Sequence, residues 1–360
     1  MELCRHCLQL IGKGKLSVRC VACCNAFDNV ERFAREVAGR MDKYEYRSFQ
    51  VGSRVYGSIA AFKELLERRG VEYEIKRSFN YELTRAILGI TGKSVSSNPD
   101  ITVIFDLETF NFELQVRPVY IYGRYIKRVR NISQTRWLCR FCNGKGCEVC
   151  GYTGKRYVAS VEELIAAPVV ELFEARDAKL HGAGREDVDA RMLGRGRPFV
   201  LEVVEPKKRF LDIEMVEMAI NESAGGKVKV IGLEYTDASK VREVKMERHR
   251  KKYRAKVVFE RDVEREKLIA ALEKLRGVIE QRTPRRVAHR RADRIRVRRV
   301  FDARLLHHTN RVAVIEIEAE AGLYIKELVS GDEGRTKPSL SEILGVKSEV
   351  EKLDVLDVFD

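Results

Sequence analysis

The sequence has no stretch approaching the ~20 consecutive apolar residues that cross a bilayer, and its start, Met1-Glu2-Leu3-Cys4, carries no apolar signal region. These absences exclude a membrane-spanning helix and predict a chain that stays in the cytoplasm. Internal repeats and low-complexity tracts are also missing, so ordinary globular domains are expected. No strand-like run leads into a glycine-rich dinucleotide or methyl-donor loop, which disfavours a methyltransferase. Cysteine is absent from 25 to 138 and from 151 to 360, so all nine fall in two tight clusters. In a reducing compartment that distribution favours metal over disulfides.

What is present is mostly charge. Lys and Arg number 68 against 54 Asp and Glu, a net charge of +14, and such an excess points to a polyanionic partner, nucleic acid before anionic membrane. Charged residues make up 34% of the chain, a composition similar to that of thermophile proteins. With 360 residues and 44% hydrophobic content the chain can fill two cores.

The first cysteine cluster, Cys4-x2-Cys7 and Cys20-x2-Cys23, has zinc-ribbon spacing, in which two knuckles close a tetrahedron of thiolates. Cys24 beside Cys23 leaves the fourth ligand open between the two. The second cluster is Cys139, Cys142, Cys147 and Cys150, with glycines that let backbone amides turn toward metal-bound sulfur. Two structural Zn2+ ions are expected, because four cysteines leave no open position for a catalytic water. His181, His307 and His308 read as loop residues or nucleic-acid contacts.

After the first cluster, Val30, Phe33, Val37 and Met41 recur at helical spacing, 46–51 reads as a strand, and Ile59, Phe62, Leu65 and Leu66 mark a helix ending near Gly70. From Asn98 three strand-like runs follow, around 101–105, 110–116 and 119–121. A helix beginning near Ser160 leads to a second α+β region. It has strands at 199–204, 227–235, 253–259, 295–301, 312–318 and 349–358, and helices at 212–222 and 262–276. Leu268, Ile269, Leu272 and Leu275 share a face of the last helix, with Gly277 as its stop. The fold class is α+β, with a mainly antiparallel sheet in the C-terminal half.

Two basic stretches stand out. Residues 240–256 hold nine Lys and Arg, Arg248 among them, and 282–299 hold nine arginines with few acids between, a pattern that favours phosphate contacts over a solvated face. Residues 182–199 are too poor in apolar side chains for a core and too rich in glycine for a helix. They read either as a surface loop with internal ion pairs or as a cleft where arginines and aspartates meet. Residue chemistry alone leaves Asp187 and Asp189 as rival candidates.

Gly184-Arg185-Glu186-Asp187 resembles the Gly-Arg-x-Asp motif of pseudouridine synthases. The block through Pro198-Phe199 is similar to one family in particular, the archaeal and eukaryotic "Pus ten" tRNA pseudouridine synthases. Three further segments match it in order: Lys252-Tyr253-Arg254-Ala255, then 281–291 from Gln281-Arg282-Thr283-Pro284, and Gly322-Leu323-Tyr324-Ile325-Lys326-Glu327-Leu328 running into 331–338. The N-terminal half is similar to the family's zinc-bearing, THUMP-like RNA-binding part.

The resemblance implies a division into a zinc ribbon at 1–26, a THUMP-like domain at 27–170 with the second zinc knuckle at 139–150, and a catalytic domain at 171–360. It implies a tRNA substrate modified at uridine 54, uridine 55 or both in the T loop, with no redox or nucleotide cofactor and with the chain acting as a monomer. Breaking the N1 glycosidic bond and reattaching uracil through C5 calls for a carboxylate, and the motif register selects Asp187 as nucleophile, paired with Lys326. Tyr253 would stack on the flipped base and help remove the C5 proton, Tyr324 would contact substrate, and Arg185 would fill the gap in the RNA or bind a phosphate. Lys326 stands where other pseudouridine synthases commonly have arginine, keeping the charge without the bidentate fork. The competing reading is a non-catalytic tRNA-binding protein. It explains the charge and the cysteines but not Gly-Arg-x-Asp together with Tyr-Ile-Lys.

Overall fold

The computed structural model describes residues 1–246 and 249–359, so Arg248 of the first basic stretch lies outside the described residues. Its contacts divide the chain into two compact units. One comprises Met1–Val119, Val170–Asp177 and Val203–Leu211; the other comprises Tyr120–Val169, Ala178–Glu202 and Asp212–Asp360.

The first unit opens with a short parallel pair, β1 (Glu2–Leu3) and β2 (Lys15–Leu16), with helix α1 (Arg5–Ile11) between them in sequence. The Cys4 sulfur caps α1 by accepting the Cys7 N–H, and Gly12 ends the helix at a left-handed φ of 75°. Helix α2 (Val30–Met41) buries Val30, Phe33, Ala34, Val37, Ala38 and Met41, the stripe that the three-and-four spacing predicts. Then come β3 (Ser48–Arg54), α3 (Gly57–Glu67), α4 (Ile75–Thr91), β4 (Ser94–Val95), β5 (Ile101–Asp106) and β6 (Phe112–Val116). Their sheet runs β4-β3-β5-β6, with β3 parallel to β4 and β5, and β6 antiparallel to β5. One apolar core joins Cys4, Cys7, Cys20 and Cys23 to Phe33, Phe49 and Phe79, so no break in packing separates 1–26 from the α/β part.

The second unit contains β7 (Val119–Lys127), all but the last turn of α5 (Val161–Leu172), β8 (Asp177–Gly182), β9 (Arg191–Val204), α6 (Ile213–Ser223), β10 (Val228–Thr236), α7 (Ala238–Met246) and β11 (Lys251–Phe259). After these come α8 (Arg265–Leu275), β12 (Gly277–Arg282), β13 (Ile295–Thr309), β14 (Val312–Ala319), α9 (Ile325–Ser330), β15 (Thr336–Lys337), α10 (Leu340–Leu344) and β16 (Ser348–Val358). The sheet order is β10-β7-β9-β16-β11-β14-β13-β12-β15, with β8 beside β9. The ladders of β10, β11, β12 and β13 are antiparallel and that of β16 with β9 is parallel, in keeping with the antiparallel sheet expected for this half. Strand β11 is central, with Tyr253 opposite Ile317 on β14 and Val355 on β16.

Three expectations need revision. The run near 119–121 reads as a third strand of the RNA-binding part, yet β7 pairs antiparallel with β10 from Val228↔Lys127 to Thr236↔Tyr120. Its backbone groups are satisfied in the second unit, which also takes in residues 139–150, while Val170–Asp177 and Val203–Leu211 cluster with the first unit. Strand β9 begins at Arg191, not 199, because its glycines serve close strand approach: a Cβ on Gly194, at φ 57°, would strike the Leu356 carbonyl. On α8 the buried face is Leu268, Ala271, Leu272 and Leu275, and Ile269 is exposed.

Candidate active site

The loop joining β8 to β9 is a chain of backbone carbonyls held by cations. Lys127 is buried, and its ammonium donates to the carbonyls of Ile132 at 2.9 Å, Val188 at 3.1 Å and Asp187 at 3.3 Å. Arg130 donates to the Asp189 carbonyl at 2.7 Å and to Leu353 at 2.6 Å, and its other nitrogen reaches Asp354. Arg191 grips Asp354 through two bonds of 2.8 and 2.7 Å. The Gln134 amide donates to the Gly184 carbonyl at 2.8 Å. In this loop Glu186 is buried, while Arg185 is exposed and Asp187 half-buried, and all three line the cleft.

Glu186 is buried against the Arg197 guanidinium at 2.9 Å and accepts the Tyr125 hydroxyl at 2.8 Å. Arg197 also donates to the Ala183 carbonyl at 2.6 Å. The two charges satisfy each other, and both keep further hydrogen bonds, the condition under which a buried pair is tolerated. This bonded pair underlies the segment that carries Asp187.

Asp187, Arg185, Tyr253, Tyr324 and Lys326 all line one cleft of about 810 Å³; Asp189 is not among its lining residues. Tyr253 forms part of the wall from β11 and Tyr324 precedes α9, where its N–H donates to Gln281 at 2.8 Å. Burial raises the Tyr253 phenol, Arg197 opposes this, and the Asp187 charge adds to it, so that the group is pushed up to about 12 and stays protonated at neutral pH. Arg185 reaches sideways, its guanidinium 4.9 Å from the centroid of the Trp137 ring.

The cation closest to Asp187 is not the expected one. Lys326 Nζ lies 3.6 Å from Asp187 but 2.7 and 2.9 Å from the two Asp189 oxygens. Burial alone would raise the Asp189 carboxyl, but the Lys326 hydrogen bond and charge outweigh it and hold it below the usual range. Arg286 makes the tighter contact with Asp187, at 3.0 Å, from a 3-10 turn at Arg285–Arg290. The same guanidinium bonds buried Glu327 at 2.6 Å and lies 5.7 Å from the Tyr324 ring centroid. Burial would lower its pKa, yet the bond to Glu327 and the Asp187 charge hold it well above the ordinary value, so it stays charged.

Lys245, Arg291, Arg296 and Arg298 extend the positive lining. Acids within and outside 282–299 absorb part of its charge: Arg282 pairs with Asp293 at 2.6 Å and Arg298 with Glu320 at 3.7 Å. Arg291, Arg294 and Arg299 make no ion pair with a described residue, which leaves charge for phosphates. His181 pairs with Glu202, and His308 bonds the Val263 carbonyl, so neither joins a cysteine cluster.

Both cysteine groups bring four sulfurs within 4.8 Å of one another. The Cys4–Cys23 separation is 3.7 Å, and Cys139–Cys147 and Cys142–Cys150 are 3.9 and 3.8 Å apart. A tetrahedron with metal–sulfur bonds of about 2.3 Å has edges of about 3.8 Å, so each set fits one four-coordinate metal ion. Cys23 is the fourth member of the first set; Cys24 is exposed and faces Ser58. Tyr73 places its hydroxyl 3.2 Å from the Cys7 sulfur, an outer-shell contact of the kind that fixes a metal ligand.

Fold and site together define a carboxylate-centred enzyme cleft built for a polyanionic ligand. The family model described as "Pus10, C-terminal" matches residues 120–359, and "Pus10 THUMP domain, archaeal" matches 33–106. The chain is 68% identical over 358 residues to the tRNA pseudouridine synthase Pus10 of Archaeoglobus fulgidus, covering 99% of this chain and 100% of that relative. It is 49% identical over 351 residues to the protein of the same name from Methanopyrus kandleri, covering 95% of this chain and 80% of that one. The chain belongs to the Pus10 family.

Proposed function

We propose that this tRNA pseudouridine synthase acts on uridine 54, uridine 55 or both in the T loop, with Asp187 as its nucleophile. The observation that carries the choice of Asp187 is that it lines the cleft together with Tyr253, Tyr324 and Lys326, while Asp189 does not and is engaged by Lys326. The target nucleotide is flipped out of the RNA into this cleft. The N1–C1′ bond breaks, the uracil turns, C5 bonds to C1′, the C5 proton leaves and N1 takes up a proton, so no electrons are exchanged. Arg286 and Lys326 keep the carboxylate charged and aimed. Tyr253 stacks on the base and helps remove the C5 proton. Tyr324 contacts the nucleotide, and Arg185 replaces stacking lost in the RNA or meets a phosphate.

Zinc is the ion we assign to the two cysteine sets, in a structural role, since a closed set of four thiolates leaves no site for water. The zinc-bearing and THUMP-like parts grip the body of the tRNA, and the chain works as a monomer in the cytoplasm. Among the described residues no helix is long and apolar enough to cross a membrane.

The test is incubation of an unmodified tRNA transcript with the protein, followed by carbodiimide-dependent reverse-transcription stops. Stops are expected at 54, 55 or both. Asp187→Ala should lower the rate by on the order of 10³-fold or more, the scale for an essential nucleophile, and Asp189→Ala by less. Wild-type protein that leaves no T-loop stop, or an Asp187→Ala variant as active as wild type, rejects the assignment.

A further inference from the structure

Among the cationic groups of the cleft that the chemistry above does not use, Lys251 stands nearest in sequence to a residue that it does use. Lys251 lies two residues before Tyr253 on β11, on the same face of the strand, and lines the same cleft. Its ammonium makes no hydrogen bond or ion pair with a described residue. It sits against the glycine loop: a Cβ on Gly184 would come 3.0 Å from Lys251 Nζ, so glycine at 184, at φ 72°, gives the amine its room. Burial and the nearby Arg197 charge lower this amine to about 7, with Glu186 pulling the other way.

A half-buried amine that lines an open cleft beside a guanidinium gains most from an anion brought into that cleft. Among the described residues no nearby carboxylate is left for it. Glu186 is taken by Arg197 and Tyr125, and Asp187 by Arg286. The missing anion therefore comes with the ligand, and the ligand of a cleft this basic is a phosphodiester. Two residues along a strand are about 6.6 Å apart, comparable with the span between a nucleobase and the 5′ phosphate of its own nucleotide. With the base on Tyr253, that phosphate falls at Lys251.

We propose that Lys251 binds the 5′ phosphate of the extruded uridine and so fixes the nucleotide while its base turns. This rests on the pseudouridylation reading, and the experiment separates the two.

A T-arm stem-loop is prepared with one neutral methylphosphonate at the phosphate 5′ to the target, and a second RNA carries it in the stem. Wild type, Lys251→Met and Lys251→Gln are compared by kcat/KM and by Kd, with circular dichroism melting to establish that each variant folds. A charge-assisted contact is worth about 1.5–3 kcal/mol, so Lys251→Met should lose roughly 10–100-fold in kcat/KM. The loop methylphosphonate should cost wild type a similar factor and cost either variant roughly threefold at most, because the partner is already gone. The stem methylphosphonate should affect all three proteins alike. Lys251→Met or Lys251→Gln folded and within twofold of wild type, or penalties that simply multiply, overturns the proposal while wild-type turnover leaves the pseudouridylation reading intact. Wild type that makes no pseudouridine overturns that reading instead, and the Kd cycle still decides whether Lys251 meets the phosphate.

Discussion

At Asp187 two cations approach one carboxylate, and they differ in what they can do. Lys326 is a point charge shared with Asp189. Arg286 is a fork held on its far side by buried Glu327, so its planar head can approach Asp187 from one direction only. Arg286→Lys preserves the charge but cannot span both carboxylates. We expect kcat to fall roughly 10–100-fold with substrate Kd changed little, measured by single-turnover kinetics and RNA binding; a fall confined to affinity would instead place Arg286 in RNA binding. The role of this residue was not legible in the sequence. It is one of nine arginines within 282–299, all alike by residue type, and its partner stands 99 positions earlier. Asp187, Tyr253, Tyr324 and Lys326 were legible because each falls in a motif of fixed register. Glu327 lay inside such a motif, but nothing in its residue type says that it is buried.

At the scale of elements, periodicity exposed those whose apolar side chains repeat on one face, such as α2, α8 and β14. It failed where an element's meaning depends on a distant partner. Strand β7 looks like any other half-buried strand, and only its pairing with β10, more than 100 residues later, assigns it to the second unit. Helix α4 keeps Ile75, Phe79, Leu83 and Ile87 four apart, but polar and charged residues fill the turns between and hide the stripe. The glycines of β9 are the reverse case, suggesting a loop where close strand approach requires them. Gly194→Ala would force a left-handed φ on alanine and press its methyl into the Leu356 carbonyl. The cost should be on the order of 3 kcal/mol, lowering Tm by roughly 6–12 °C. Gly39→Ala, in an exposed turn of α2 with open space around it, should instead stabilise by about 1 kcal/mol. Thermal melts of the two variants check the contrast, and equal shifts would contradict the packing described for β9.

At the scale of the whole molecule, the two cysteine sets are chemically alike but mechanically different. The first is part of the apolar core of its unit: its four cysteines are buried and belong to the same cluster as Phe33, Phe49 and Phe79. A metal ion there joins chain segments that enclose that core, and its binding energy is folding energy for the whole α/β part. In the second set only Cys139 is buried, and the turns around it depend on Gly146 and Gly154, whose Cβ positions would meet other backbone atoms of the same knuckle. Loss of that metal should loosen 139–154 and the neighbouring Trp137 that Arg185 faces, without melting the sheet. Each intact chain should carry two zinc ions by atomic absorption, and Cys7→Ser and Cys142→Ser should each carry one. Hydrogen exchange then separates the variants. Cys7→Ser should lose amide protection throughout 30–116, whereas Cys142→Ser should keep it there and in β11, losing it only in the knuckle. In the T-loop assay Cys142→Ser should retain the protein's fold but turn over more slowly, because Arg185 has lost a fixed surface beside the cleft. Protection lost throughout the second unit in Cys142→Ser would mean that this knuckle, too, is a folding element rather than a support for the active site.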